Sequence, residues 1–246
     1  MSKTYKAAMV VIGNEILSGR TQDKNINYVA CKLVDKGIVL AEVRVIPDDE
    51  DTIIATIHDL KKSVDYIFTS GGIGPTHDDI TADSVAKAFD AALETHDQAY
   101  QILLDHYGEE EFTPARQKMA KTPVGADLIP NPVSAAPGFV IENVYVMAGV
   151  PSIFQAMVDH VVIGLQGGPV IKSHNVPSRF AESTIAPGLA EIQTKFDAVD
   201  IGSYPYFKDG ELGVNVVLRS SNETLLSQAV MDVEILISAL EDQMNE

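Results

Sequence analysis

Cysteine is almost missing from this chain. One residue, Cys31, among 246 excludes an internal disulfide and fits a reducing compartment. Long apolar runs are missing as well. The opening MSKTYKAAMVVIGNE turns polar at Gly13-Asn14-Glu15, too soon for a signal peptide and far short of the roughly 20 residues that span a bilayer. Positive charge is scarce: 18 Lys and Arg stand against 35 Asp and Glu, a formal net charge of −17. Such a surface repels nucleic-acid backbones and anionic membranes, which excludes generic electrostatic binding to either. No repeat and no low-complexity tract is found. The expectation is a soluble cytoplasmic protein without nucleic-acid or membrane partners. Its 46% hydrophobic content suffices for one large domain, or for an ordinary domain plus a small one.

Two periodicities alternate at the start. KAAMVVIG (6–13) is a continuous apolar run, suited to a strand covered on both faces. NINYVACKLVDKG follows, with Ile26, Val29, Ala30, Leu33 and Val34 at helical spacing and Gly37 as a stop. VLAEVRVIP (39–47) reads as a second strand. DEDTIIATIHDLKKSV reads as a second helix, acidic at its start and basic at its end, as the helix dipole favours. DYIFTSG is a third strand, and TADSVAKAFDAAL (81–93) a third helix with Thr81 as its N-cap. This order predicts an α/β fold, a mostly parallel sheet with helices on its faces. The segment 95–130 is helical up to DHYG and then irregular. FVIENVYVMAG (139–149) predicts a hairpin around Glu-Asn, and PSIFQAMVDHVVIGLQ a helix with proline in its first turn. GGP at 167–169 is the linker. Beyond it, a strand near 170–176, a helix near 183–196, strands near 199–205 and 212–219 and a helix near 223–242 predict a small α+β unit. The expected domains are 1–167 and 168–246.

In parallel sheets ligands collect beyond the carboxyl ends of the strands. Three loops leave those ends, 13–25, 47–50 and 70–81, and all are rich in carboxylates, amides and glycine. The third contains GGIGPTHDDIT. Gly71, Gly72 and Gly74 let the backbone turn sharply and approach a phosphate, beside the N-terminus of the next helix. Asp78 and Asp79 offer hard oxygen ligands to a divalent cation. Helix capping by aspartate and an ordinary glycine turn explain the same residues without a ligand. His77 reads as a solvated neighbour of the two acids rather than a metal ligand.

GGIGPTHDDIT resembles the signature loop of the MoaB/MogA-type molybdopterin-binding domain, in the form that opens CinA-like (competence/damage-inducible) proteins. VVIGNEILSGRTQDKN, VIPDDEDTI and NPVSAAPGF…VMAGVPSIFQAM resemble further motifs of that group, in the group's order, over roughly residues 5 to 165. The tail AESTIAPGLAEI…VDIGSYPYFKDGELGVNVVLRS resembles the small KH-like domain that follows in CinA-type chains. The resemblance implies a three-layer α/β/α domain followed by that KH-like domain. A KH domain suggests RNA, but the one Gly-x-x-Gly string, GELG (210–213), carries Glu211, follows Asp209 and falls between strands; it reads as a hairpin turn. At 246 residues the third domain of longer relatives, which deamidates nicotinamide mononucleotide, is not expected.

Carried over motif by motif, the resemblance implies that Gly71, Gly72 and Gly74 hold phosphate oxygens and that Asp79, Asp78 and Asp48 are catalytic and bind the metal (Mg, Mn or Co). Glu15 and Asn25 would line the facing wall. Gly149 to Ser152 would offer free amides at a helix start, and Ser134 a hydroxyl. Two departures stand out: Asn14 where the group has aspartate, and Ala148 where it has proline. Three readings follow. The first is a divalent-metal-dependent hydrolase of nucleotide pyrophosphates of the ADP-ribose or FAD class. The second is a molybdopterin-binding or molybdopterin-adenylating protein. The third is a non-catalytic oligomeric module. The CinA-type tail favours the first, and self-association into a homo-oligomer is expected throughout.

Overall fold

Strand β1, Tyr5–Ile12, is buried at every residue from Ala7 to Ile12, because a neighbouring strand lies on each side and helices lie on each face. The computed structural model describes residues 3–208 and 210–245, and the chain forms two compact units, Met1–Gly168 and Pro169–Glu246.

In the first unit β1 leads through a short helix α1 (Asn14–Leu17) to α2 (Asn25–Val34), β2 (Ile38–Ile46), α3 (Glu50–Leu60), β3 (Tyr66–Ser70) and α4 (Thr81–Ala88). Next come β4 (Leu93–Thr95), α5 (Asp97–Tyr107), α6 (Pro114–Lys118), β5 (Lys121–Pro123), β6 (Asp127–Ile129), β7 (Gly138–Ile141), β8 (Val144–Met147) and α7 (Pro151–Gly164). The main sheet has the order β2-β1-β3-β8-β7-β6. β2, β1, β3 and β8 run parallel, and β7 and β6 complete the sheet antiparallel. Glu142, at φ 50°, turns the β7–β8 hairpin.

Alternate side chains of β1 feed two cores. Ala7, Met9 and Val11 pack with Val29 and Leu33 of α2 and Phe154, Met157 and Val158 of α7. Ala8, Val10 and Ile12 pack with Ile53, Ile57 and Leu60 of α3 and Val85 of α4. The result is the expected three-layer α/β/α arrangement. α3 starts cleanly because the Asp49 side chain accepts from the Thr52 N–H, with Glu50 and Asp51 in the first turn. The hydroxyl and N–H of Thr52 hold the Asp49 carboxyl below its ordinary range.

The third helix departs from expectation. It ends at Ala88 rather than running to Leu93, because Asp90 takes the left-handed conformation (φ 51°) and the Ala91 N–H returns to the Ala86 carbonyl at 2.9 Å. Leu93–Thr95 then pairs antiparallel with Lys121–Pro123. Thr81 does not cap α4 either: Ile80 holds that position, without a side-chain cap.

The second unit runs β9 (Lys172–Ser178), α8 (Glu182–Lys195), β10 (Asp200–Lys208), β11 (Glu211–Ser220) and α9 (Glu223–Asn245). Its antiparallel sheet has the order β10-β11-β9, and Val214, Val216 and Leu218 of β11 lie buried with Ile185 of α8 and Val233 of α9. The GELG string lies at the β10–β11 hairpin, where Lys208 pairs with Glu211 and Gly210 has φ 87°. Asp209 falls outside the described residues. Among the described residues no helix is long and apolar enough to cross a membrane.

Phe154 is fully buried between α7 and the sheet. Phe154→Ala is expected to lower stability by about 3–5 kcal/mol, measured as a shift of the urea midpoint.

Candidate functional site

The loops leaving β1, β2, β3 and β8 share one cavity of ≈ 540 Å³, within the size range of small-ligand pockets. Ile12, Glu15 and Thr21 line it from the first loop, Asp48 from the second, and Gly71–Thr76, Asp78 and Asp79 from the third. Ala148–Pro151 and Ile153 add the start of α7, Asn131, Ser134 and Ala136 the loop before β7, and Tyr107 and Met119 a side wall.

Glycine is required where the loop leaves β3. Gly71 has φ 112°, and a Cβ there would lie 2.2 Å from the Ile12 carbonyl oxygen. Gly72 has φ 70°, and its Cβ would lie 2.1 Å from Thr81 Oγ1. The Gly71 N–H donates to the Met147 carbonyl (3.1 Å) and the Gly72 carbonyl accepts from the Thr81 N–H (2.9 Å), which pins the loop to β8 and α4. No protein acceptor among the described residues takes the N–H of Gly72, Ile73 or Gly74. Those three residues line the cavity, and opposite them α7 begins with Val150 as N-cap and Pro151, which has no N–H, in its first turn. The Ile153 and Phe154 N–H groups return to the Val150 carbonyl at 3.0 and 2.9 Å, so the start of α7 offers the cavity few free donors.

The carboxylates are held individually. The Thr76 N–H donates to Asp79 Oδ2 at 2.8 Å. The Thr76 hydroxyl lies within bonding reach of both Asp78 Oδ1 and Asp79 Oδ2; its single proton serves one of them at a time. The hydroxyl is the main reason the Asp78 carboxyl sits below its ordinary range, so Asp78 stays ionised beside its neighbour. Asp48 Oδ2 accepts the Asn14 N–H at 2.9 Å. Glu15, Asp48, Asp78 and Asp79 thus face a cavity whose lining contains no lysine, arginine or histidine.

Several expected residues take other places. Asn25 is buried and does not line the cavity: its Nδ2 donates to Ser70 Oγ (2.7 Å) and to the Gly149 carbonyl (2.8 Å), tying the tip of β3 to the start of α7. Ser152 is exposed outside the lining. Ser134 does line the cavity, and its Oγ accepts from Asn131 Nδ2 at 2.7 Å. Asp48, Asp78 and Asp79 share the cavity without converging into a metal cage: among the described residues no three His, Cys, Asp or Glu side chains group closely enough to hold an ion. Asn14 is exposed and outside the lining; its contribution is the backbone N–H to Asp48, which any non-proline residue supplies. Thr21, Thr76, Tyr107, Lys118, Met119 and Asn131 were not legible as site residues. Most come from irregular stretches that carry no periodic signal, and Thr76 was hidden between a proline and a histidine.

A family model described as "Probable molybdopterin binding domain" matches residues 8–171. The chain belongs to that family. A second model, "FAD synthase, middle domain", matches residues 171–242. A relative from Archaeoglobus fulgidus is 34% identical over 230 residues, 94% of this chain and 97% of its own. One from Pyrococcus abyssi is 31% identical over 240 residues, 92% of this chain and 94% of its own. Among solved structures, CinA from Thermoplasma acidophilum, described as of unknown function, matches at 33% identity with a TM-score of 0.61, over 63% of this chain and 95% of that one. The first unit is therefore CinA-like as well as molybdopterin-binding-like.

Two substitutions probe the loop geometry. Gly71→Ala forces an unfavourable φ and a backbone clash and should cost about 1–3 kcal/mol or more. Asn25→Ala leaves the Gly149 carbonyl and Ser70 without their donor and should cost about 1–3 kcal/mol. Both are read from denaturant midpoints.

Proposed function

We propose that the cavity binds a small diphosphate-bearing nucleotide together with a divalent cation, and that the protein hydrolyses nucleotide pyrophosphates of the ADP-ribose or FAD class. The observation that carries this reading is the lining itself, in which unpaired amides suited to phosphate oxygens lie beside four carboxylates and no basic side chain. Amides alone would accept a phosphate, but the carboxylates would repel it unless a cation came with it.

The donor set fits such a cation. Asp78 and Asp79 present hard oxygens within reach of one hydroxyl. Magnesium-type ions are commonly held by one or two carboxylates, with phosphate oxygens and water completing the shell, so a cage of three protein carboxylates is not needed. When bound, the ion would supply the charge that lets a diphosphate sit among these carboxylates and would polarise phosphorus toward attack by water. The chain does the rest. The amides of Gly72, Ile73 and Gly74 orient the non-bridging oxygens. Thr76 fixes the two aspartates. Asp48, aimed by the Asn14 N–H, is the group suited to accept a proton from the incoming water. Water adds to phosphorus, the bridging P–O bond breaks, and two phosphate monoesters leave. The tail's match to a family described as a middle domain of FAD synthase supports a nucleotide ligand of this class.

The family description "Probable molybdopterin binding domain" favours a second reading, in which the same amides take a pterin's phosphate and the carboxylates its ring amines, with no turnover. The test is incubation with ADP-ribose, FAD or molybdopterin plus magnesium, manganese or cobalt. Phosphate monoester release that is lost with EDTA, and reduced at least about 100-fold in Asp79→Asn, is the expected outcome. Tight pterin binding without cleavage of either nucleotide would overturn hydrolysis in favour of the second reading.

A further inference from the structure

The third loop carries Asp78 and Asp79 side by side and should spread under their mutual repulsion. Thr76 restrains the two side chains from within the loop, and a second hold comes from outside it. Lys118, at the end of α6, donates from Nζ to the Thr76 carbonyl at 2.6 Å and to the Asp79 carbonyl at 2.7 Å. It bridges the two residues whose side chains also bond each other, so Thr76 and Asp79 are locked through backbone and side chain together. Lys118 does not line the main cavity; it stands behind the loop, in a small hollow shared with Gly74 and Asp79. Its charge adds to the influences that keep Asp78 ionised.

The rest of α6 serves the same wall. The Arg116 guanidinium lies 4.2 Å from the Tyr107 ring centre and is anchored by Glu111 through its carbonyl (2.6 Å) and carboxylate (2.7 Å). Met119, directly after Lys118, faces the cavity, as does Tyr107. One short helix therefore backs an aromatic side chain and clamps the acidic loop, and the residue that caps it adds an apolar side chain to the cavity.

We propose that Lys118 is a positioning residue for the site: its ammonium holds the Thr76–Asp79 segment so that the two aspartates and the loop amides present one preformed surface to a cation and a diphosphate. Two of its three N–H donors are spent on the loop carbonyls, so it acts through the loop and not on the ligand. The ligand-binding part rests on the function proposed above; the loop-ordering part does not.

The experiment takes the full chain as wild type, Lys118→Met and Lys118→Arg. Amide hydrogen exchange over 76–81, where the Thr76 and Thr81 N–H groups are bonded within the loop, is measured without ligand, and affinity for the α,β-methylene analogue of ADP-ribose with manganese is measured by calorimetry. Lys118→Met keeps the stem and removes charge and donors. It is expected to speed exchange in 76–81 while leaving α5 and β1 protected, and to weaken binding about tenfold or more. Lys118→Arg is expected to restore most of both. Unchanged exchange in Lys118→Met overturns the proposal, as does a rise spread over the whole first unit. If the wild type does not bind the analogue, the nucleotide reading above falls, and exchange alone decides the role of Lys118. If Lys118→Met does not fold, Lys118→Gln, which keeps a donating amide but no charge, takes both measurements with the same criteria.

Discussion

Negative side chains and unpaired amide N–H groups compete for opposite kinds of guest, and here they are held around one cavity. Glu15, Asp48, Asp78 and Asp79 line it together with the glycine loop, in a chain of net charge −17. An anion that satisfies the amides is repelled by the carboxylates, and a lone cation leaves the amides unused. A phosphate with its counterion satisfies both, as does a phosphorylated ring bearing amines. That constraint narrows the proposed ligands more than any single residue does.

The fold meets the constraint by bringing backbones unusually close. Gly71 lies against the Ile12 carbonyl on one side and Gly149 on the other, where a Cβ on Gly149 would come within 3.3 Å of Gly71 Cα. The ends of β1, β3 and β8 therefore approach backbone to backbone at Gly71, and the N–H groups of Gly72, Ile73 and Gly74, in residues that line the cavity, have no protein acceptor among the described residues. Asn25 reinforces the convergence from beneath by bonding to both Ser70 and Gly149. Most residues that hold the site are thus not residues that face it. Asn25, Lys118 and the backbone of Asn14 each act through a neighbour.

Much of this was legible in the sequence. The unbroken apolar run of β1 marked a strand covered on both faces, and the glycines marked a loop that must turn where side chains do not fit. Asp48, Asp78, Asp79, Glu15 and Ser134 were picked from loops that the topology does bring together. The misreadings share a cause. Thr81 looked like a cap because it precedes a helical pattern, yet its hydroxyl is buried beneath Gly72 without a partner among the described residues. The apolar spacing past Ala88 looked like more helix, yet Asp90 reverses the chain. Asn25 and Ser152 stood in the right motifs and nevertheless miss the lining.

The sequence by itself determined the layer order, the positions of the strand-end loops and the sign of the charge gathered in them, because these follow from local periodicity and from residue type. Only the tertiary structure decided which of those polar groups share a cavity, and that Asn14 reaches the site by its backbone alone. It also decided that a lysine from the irregular segment before β5 holds the acidic loop from behind. Such contacts join residues far apart in the chain, and their geometry depends on how separate elements pack, which no local pattern encodes.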